Sequence, residues 1–296
     1  MNTQQASPDL AQTVGHVFRP VASSYAEKEA AFYALAIGAS ADPLDTAELQ
    51  FTYELNGAGF STFPTFASTF PVAMIGQIGD IPDQRLNLLD ILYGEHYLEL
   101  PAPLPPSADI LSQARISHVY DKGSGALLVI EIKSKDQAGK TIAINRASFF
   151  IRGRGGFGGE RGPSSKTDSP PLRSADVLVS DATRANQALL FRLASGDLNP
   201  LHADARLAPM LGFERPILHG LCTYGFAARA VLETFAANDP TRLFSFKARF
   251  SHHIFPGETI QTEMWQESET DIFFQSRVVE RDEIILSNGL AKLNPA

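Results

Sequence analysis

The chain concentrates its chemistry in one short run. In Phe191-Arg192-Leu193-Ala194-Ser195-Gly196-Asp197-Leu198-Asn199-Pro200-Leu201-His202, an acid, an amide and an imidazole fall within six residues. They follow directly on a helical pattern that closes at Gly196. A turn at a helix end can aim all three inward, so that Asp197 and His202 hold one water between them and divide the duties of general base and general acid. The same letters also spell an Asx turn around Pro200, because Asp, Asn and Pro are turn formers in their own right. A second feature lies about twenty residues downstream, where Pro216-Ile217-Leu218-His219-Gly220 runs into an apolar helical stretch. Glycine at a helix N-terminus offers a bare backbone N–H at the positive end of the dipole, which suits an oxyanion. Gly220 is therefore read as an anion-stabilising amide, and His219 as a capping or packing histidine.

Two other strings invite chemistry and are read otherwise. Gly153-Arg154-Gly155-Gly156-Phe157-Gly158 satisfies G-x-G-x-x-G after a strand, but Glu160-Arg161-Gly162-Pro163-Ser164-Ser165 follows in place of the helix that a dinucleotide fingerprint needs. It reads as a flexible linker, with Arg152, Arg154 and Arg161 as cations able to touch an anion. His252-His253 could suggest a metal. Neighbours in a strand point to opposite faces, so the pair is expected to be structural.

Elements must position these groups. Helical patterns run over Tyr25–Gly38 and Ala182–Gly196, each ending at a glycine suited to a C-cap. Paired strands are expected over 126–134 and 141–151, and again over 272–280 and 284–291, so each half ends in a β-hairpin. A second helix is clear from Gly220 through Leu232; its counterpart is short and broken by Pro64 and Pro71. The chain thus reads as a duplicated α+β unit, a helix wrapped by an antiparallel sheet. The expected division is 1–151, a Gly/Pro-rich linker 152–173 and 174–296. Aligning Gly38 with Gly196 sets Ala39 against Asp197 and Asp45 against His202. The N-terminal half has no acid–histidine pair, and its Phe-rich segment around Phe63 and Phe66 is assigned to an apolar substrate tunnel, with ordinary core packing of those rings as the other reading.

Composition narrows the function. The chain has 296 residues, 44% of them apolar, with 25 Lys+Arg against 33 Asp+Glu. A net charge of −8 argues against general nucleic-acid or anionic-membrane binding. The single cysteine, Cys222, excludes a disulfide scaffold or thiolate cluster. The polar stretch from Met1 to Leu10 lacks the apolar core of a signal peptide, and no run approaches a membrane span. The terminal Asn294-Pro295-Ala296 is not a peroxisomal tripeptide. A cytoplasmic or peroxisomal location is expected.

Ser195–His202, with Ala208 and Pro216–Leu221, resembles the signature of the MaoC-like, or hydratase 2, family of (R)-specific enoyl-CoA hydratases. Leu92–Leu100, Asp121–Gly125 and Gly155–Gly159 resemble its longer form, found as a domain of peroxisomal multifunctional enzyme type 2. The resemblance covers the whole chain and implies a double hot-dog fold. It also implies hydration of trans-2-enoyl-CoA to (3R)-3-hydroxyacyl-CoA without metal or organic cofactor. By this resemblance Asp197 and His202 are the catalytic pair, Asn199 orients the site, and Gly220 binds the thioester oxygen. Tyr93, Gly94, Lys122 and Phe250 fall where the family contacts acyl-CoA. Lys122 suits the CoA phosphates, and reads equally well as a solvated turn lysine. His253 stands where the family more often has proline. Acyl-CoA is the expected partner, with a homodimer as the assembly. A hot-dog thioesterase and a non-catalytic acyl-CoA-binding protein are the alternatives.

Overall fold

The computed structural model describes residues 10–84, 86, 87, 90–164 and 168–295. The opening polar stretch, part of the glycine-rich linker and the last residue, on which several expectations rest, fall wholly or partly outside them. Period-two burial sets the strands. In β3 (Ala108–Asp121), Ile110, Ser112, Ala114 and Ile116 are buried while their neighbours are mostly exposed, and β9 (Asp271–Val278) alternates along its whole length. The first half comprises β1 (Val21–Tyr25), α1 (Glu27–Ala36), the one-turn helices α2 (Leu49–Thr52) and α3 (Val72–Ile75), β2 (Ile91–Glu99), β3, β4 (Gly125–Asp136) and β5 (Thr141–Arg152). The second half has β6 (Val177–Ala182), α4 (Gln187–Ser195), α5 (Gly220–Ala236), β7 (Leu243–Phe250), β8 (Thr259–Gln266), β9 and β10 (Glu283–Leu293).

All ten strands form one antiparallel sheet in the order β1-β3-β4-β5-β2-β7-β10-β9-β8-β6. Read outward-in from each edge, both halves have the same order of first, third, fourth, fifth and second strand. The duplication legible in the sequence is therefore a two-fold repeat of topology. The halves join where β2 pairs with β7, His96 opposite Ala248. This is the double hot-dog architecture, α+β in class.

The repeats differ in what fills them. Helix α5 is buried on nearly every side, from Leu221 through Leu232, as a helix must be when it is apolar all round. Where the first half would carry its equivalent there are only short pieces: 3-10 turns at Pro64–Thr69 and Gly76–Asp80 flanking α3. Phe63 and Phe66 pack in the core, the other reading given for these rings. Both are buried, Phe63 edge-on to Phe51, and Phe66 against Tyr25, Tyr33 and Phe70 in the core that wraps α5. A separate, smaller core lies beneath β3, β4 and β5 and includes Met74 and Ile78.

A buried charged triad crosses the junction inside this apolar frame. Arg229 of α5 donates from Nε to Glu48 of the first half (2.7 Å) and from Nη2 to Asp181 of the second (2.8 Å). Its side chain is 9% exposed and that of Glu48 6%. Glu48 also accepts the Ser40 N–H (2.8 Å), holding the loop after α1. Removing the guanidinium would leave two carboxylates facing each other out of water, a loss of about 3–5 kcal/mol for a buried pair broken on one side. Arg229→Leu is accordingly expected to lower unfolding free energy by about that amount in urea titrations at neutral pH; a change under about 1 kcal/mol would mean that the triad is not holding the halves.

Candidate active site

Helix α4 ends at Gly196, which takes a left-handed conformation (φ 72°) that frees the chain to turn. Two successive Asx turns follow. Asp197 Oδ1 accepts the Asn199 N–H (2.9 Å), and Asn199 Oδ1 accepts the Leu201 N–H (3.1 Å), capping the 3-10 turn Pro200–His202. The turn reading is borne out, and the turns leave room for the site reading, because they fix the directions of these groups. The Asn199 amide is exposed and spends its oxygen on this cap. It fixes the turn that carries His202.

His202 Nδ1 lies 2.9 Å from the Ile217 carbonyl. A carbonyl only accepts, so Nδ1 carries the proton and Nε2 is left with a lone pair. Burial pushes the His202 pKa down, opposed by that hydrogen bond and by Asp197, so the ring is neutral and able to accept. Ile217 belongs to the extended segment before α5, anchored by Leu218 N–H to the Ile254 carbonyl (2.8 Å).

That segment also delivers His219 and Gly220. His219 is 2% exposed, stacks on His202 with ring centroids 3.7 Å apart, and touches Phe191 at 5.1 Å. It caps α5 with backbone alone. Burial, then His202 and Arg192, push its pKa down to about 2. One ligating atom from each of Asp197, His202 and His219 lies within 4.8 Å of the others. The stacked rings, 25° from parallel, cannot both point in-plane lone pairs at one ion, so the cluster suits a water better than a metal. The Gly220 N–H is the first of α5, where no helical acceptor exists, and the residue is exposed. A Cβ at this position would sit 2.9 Å from the Phe250 ring, so glycine lets the aromatic wall close on the amide.

The wall continues through β2. Phe250 packs edge-on to Tyr93 (5.1 Å), and Tyr93 stacks on Phe149 (4.8 Å). The ladder of β2 with β5 shifts register between Tyr93 and Glu95, placing Gly94 in a bulge. Residues three apart in a regular strand face opposite ways; the bulge puts Tyr93 and His96 together. The Tyr93 hydroxyl lies 2.5 Å from His96 Nδ1, His96 Nε2 lies 3.0 Å from Asn145 Oδ1, and the Asn145 amide donates to the Ala67 carbonyl (3.1 Å). Direction propagates back from that carbonyl: His96 donates from Nε2, and Tyr93 donates to Nδ1. Burial holds His96 neutral, its pKa lowered to about 3, and raises that of Tyr93.

Lys122 lies apart from Asp197 and His202. Its ammonium donates to the Arg161 and Pro163 carbonyls, and its pKa is lowered by burial and then by nearby Arg161 and Arg249. The adjacent Asp121 explains the glycine-rich string. Its carboxylate accepts the N–H groups of Gly123 (2.7 Å), Gly156 (2.9 Å) and Gly158 (2.7 Å). The string does cradle an anion, but the anion is the chain's own aspartate. The linker reading is corrected to that extent: residues 153–158 are pinned to the end of β3. His252 and His253 lie beyond β7, in no strand. His252 bonds the Ile284 carbonyl (2.9 Å) and His253 packs on Phe213 and Phe255, so they diverge for a different reason than expected. In the first half, Ala39 is buried and Asp45 is exposed, its carboxylate turned to the Ala47 N–H.

The structural roles of His96 and Asp121 escaped the sequence reading, whereas His219 packs as expected, against His202 and Phe191. Only for Asp121 was there a signal, an acid beside Lys122 in a chain with an unclaimed glycine run.

Comparison with known proteins agrees with this geometry. Residues 23–153 match the family model described as the MFE-2 hydratase 2 N-terminal domain, and residues 164–288 match the MaoC-like domain. A probable enoyl-CoA hydratase 2 of Dictyostelium discoideum is 42% identical over 291 residues, covering 97% of each chain. The chain belongs to the hydratase 2 family. The peroxisomal multifunctional enzyme type 2 of Mus musculus is 44% identical over 98% of this chain, which spans 39% of that longer protein. The crystal structure of a MaoC-like dehydratase from Phytophthora capsici, 32% identical, superposes with a TM-score of 0.87 over 96% of this chain and 98% of that one.

Within this hydratase 2 chain the three N–H groups hold the Asp121 carboxyl down at about 2, against an ordinary 3.8. A depressed carboxylate stabilises where it is ionised, so the anchorage is complete above pH 3.8 and lost as pH falls through about 2. Pepsin digestion is expected to leave the 153–158 segment protected at pH 4 and to nick it increasingly toward pH 2. Asp121→Asn should be nicked at both; equal protection of parent and variant at pH 4 would remove Asp121 as the anchor.

Proposed function

We propose that this chain is an (R)-specific 2-enoyl-CoA hydratase, adding water to trans-2-enoyl-CoA to give (3R)-3-hydroxyacyl-CoA. The observation that carries the reading is the meeting of Asp197 and His202 at the N-terminus of α5, a carboxylate oxygen and a ring nitrogen within 4.8 Å of each other. A water donating to both has its oxygen activated for attack at C3. As the O–C3 bond forms, negative charge moves to the thioester oxygen, where the Gly220 N–H and the helix dipole stabilise it. The proton taken from water by this pair returns to C2, and the reverse dehydration uses the same groups.

Tyr93, Gly94 and Phe250 form the wall along which the thioester would lie. Lys122, with Arg161 and Arg249 near it, supplies positive charge suited to the CoA phosphates on an otherwise acidic protein. The first half then accommodates the acyl chain. A small cavity, little larger than a water, lies beneath its sheet, lined by Pro71, Met74, Ile78, Ala114, Ala147 and Phe149 among others, and an acyl chain would enter it by parting these side chains. Phe149 stacks on Tyr93, so the cavity adjoins the site. A homodimer remains the proposed assembly, to be tested by light scattering. Cytoplasm or peroxisome is the proposed location, to be tested by a fluorescent fusion. Among the described residues no helix is long and apolar enough to cross a membrane.

Incubation with crotonyl-CoA separates this reading from thioesterase and binding protein. Loss of enoyl absorbance without free thiol is expected; free thiol, or no change, would overturn it. Asp197→Asn and His202→Ala should each lower turnover by roughly two to four orders of magnitude with the fold intact by circular dichroism. Near-parent rates would take that residue out of the chemistry.

Chain length is checked at the cavity. Each buried methylene contributes about 0.8 kcal/mol, so kcat/KM should rise from C4 to about C10 substrates. Ala147→Leu, which fills the cavity, should penalise C10 selectively. Equal loss on C4 and C10 would leave the first half without its proposed acyl-binding role.

A further inference from the structure

One buried polar chain ties the aromatic wall of the site to the interior. The Tyr93 hydroxyl donates to His96 Nδ1 (2.5 Å), His96 Nε2 donates to Asn145 Oδ1 (3.0 Å), and Asn145 Nδ2 donates to the Ala67 carbonyl (3.1 Å). His96, Asn145 and Ala67 are wholly out of solvent, so water cannot stand in for a missing member. The backbone carbonyl at the far end sets the direction of every donor. Burial holds the imidazole neutral, its pKa lowered to about 3, and Nδ1 keeps its lone pair for Tyr93. Apolar side chains would fill the same volume; what the polar chain adds is one fixed orientation of the Tyr93 ring.

That orientation bears on the oxyanion amide. Tyr93 lies between Phe149, on which it stacks, and Phe250, which meets it edge-on at 5.1 Å. The Phe250 ring in turn closes on Gly220, where a Cβ would sit 2.9 Å from it. His96 also meets the Tyr224 ring edge-on at 5.1 Å, and Tyr224 stands one turn beyond Gly220 in α5, its hydroxyl donating to the Phe246 carbonyl. His96 is therefore wedged between the wall and the helix that supplies the amide. A Tyr93 ring free to tilt would let Phe250 back away and admit water beside the Gly220 N–H, and in that wetter setting the amide stabilises a developing oxyanion less.

We propose that His96 is a positioning residue of the reaction, which by holding the Tyr93 hydroxyl keeps the Tyr93–Phe250 wall closed on the Gly220 amide. The inference rests on the hydratase reading and deepens it. His96 is shut off from solvent and takes no part in the proton transfers of Asp197 and His202. Its effect falls where charge develops on the thioester oxygen, and so on kcat more than on KM.

Four variants assayed on crotonyl-CoA test this. His96→Leu removes the acceptor and Tyr93→Phe removes the donor at the other end; each should lower kcat about tenfold, with KM within about twofold of the parent. The two together should be no slower than the slower single, because both break the same bond. His96→Gln, whose amide carries an acceptor and a donor, should keep kcat within about threefold of the parent. A Tyr93→Phe enzyme working at the parent rate overturns the proposal, and does so even if His96→Leu fails to fold. Losses that multiply in the double variant overturn it, because His96 would then act by a route other than Tyr93. So does a Gln variant as slow as Leu, which would assign the effect to the shape of the ring. If the parent itself leaves crotonyl-CoA unhydrated, the hydratase reading fails first and this one with it.

Discussion

The structure turns on the burial of one helix. Helix α5 is apolar on nearly every side, and no single five-stranded sheet in this chain can cover it. Joining β2 to β7 makes a surface long enough to do so, and the core around the helix draws Tyr33, Phe63 and Phe66 from one half and Phe246 and Phe274 from the other. The cost is that the helix's first turn must emerge somewhere. It emerges beside the sheet junction, with Gly220 under Phe250 and Tyr93 and with His219 drawn in against His202. The same burial explains why the one charged residue of its middle, Arg229, needs carboxylates from both halves.

Only one repeat can own such a helix. With α5 occupying the shared interior, the first half keeps one-turn fragments between Pro64 and Asp80, which pack the smaller core under β3 to β5. The loop after α1, equivalent to the one carrying Asp197 and His202, is tied to Glu48 and Arg229 instead. Absence of the acid–histidine pair from that loop and of the helix beneath it are two faces of one asymmetry, and the proposed division into a reacting and an accommodating half rests on it.

Much of this was legible in the chain. Helix ends at Gly38 and Gly196, paired hairpins and an unbroken apolar run from Gly220 were enough to expect a duplicated α+β unit. Asp197, Asn199 and His202 were visible because their positioning is local, two Asx turns within six residues. What escaped was set at a distance or by a local irregularity. The Tyr93–His96 contact depends on a bulge at Gly94 that inverts strand alternation. The glycine string finds its anion in Asp121, more than thirty residues earlier. His219 was read as a capping or packing histidine and packs, but that its partner is the His202 ring was not readable from the sequence. Phe63 and Phe66 misled because apolar composition does not tell a core from a cavity wall.

The central claim is that acid, base and water sit on one side of the substrate, at the start of α5. Hydration of crotonyl-CoA in D₂O, with the product's C2 and C3 configurations read by NMR, tests it most directly. A pair of groups confined within 4.8 Å delivers hydroxyl and deuteron to the same face, so the account predicts a single (3R) product carrying one deuterium at C2, added syn to the hydroxyl. Anti addition, a (3S) product or deuterium scrambled between both C2 positions would contradict it.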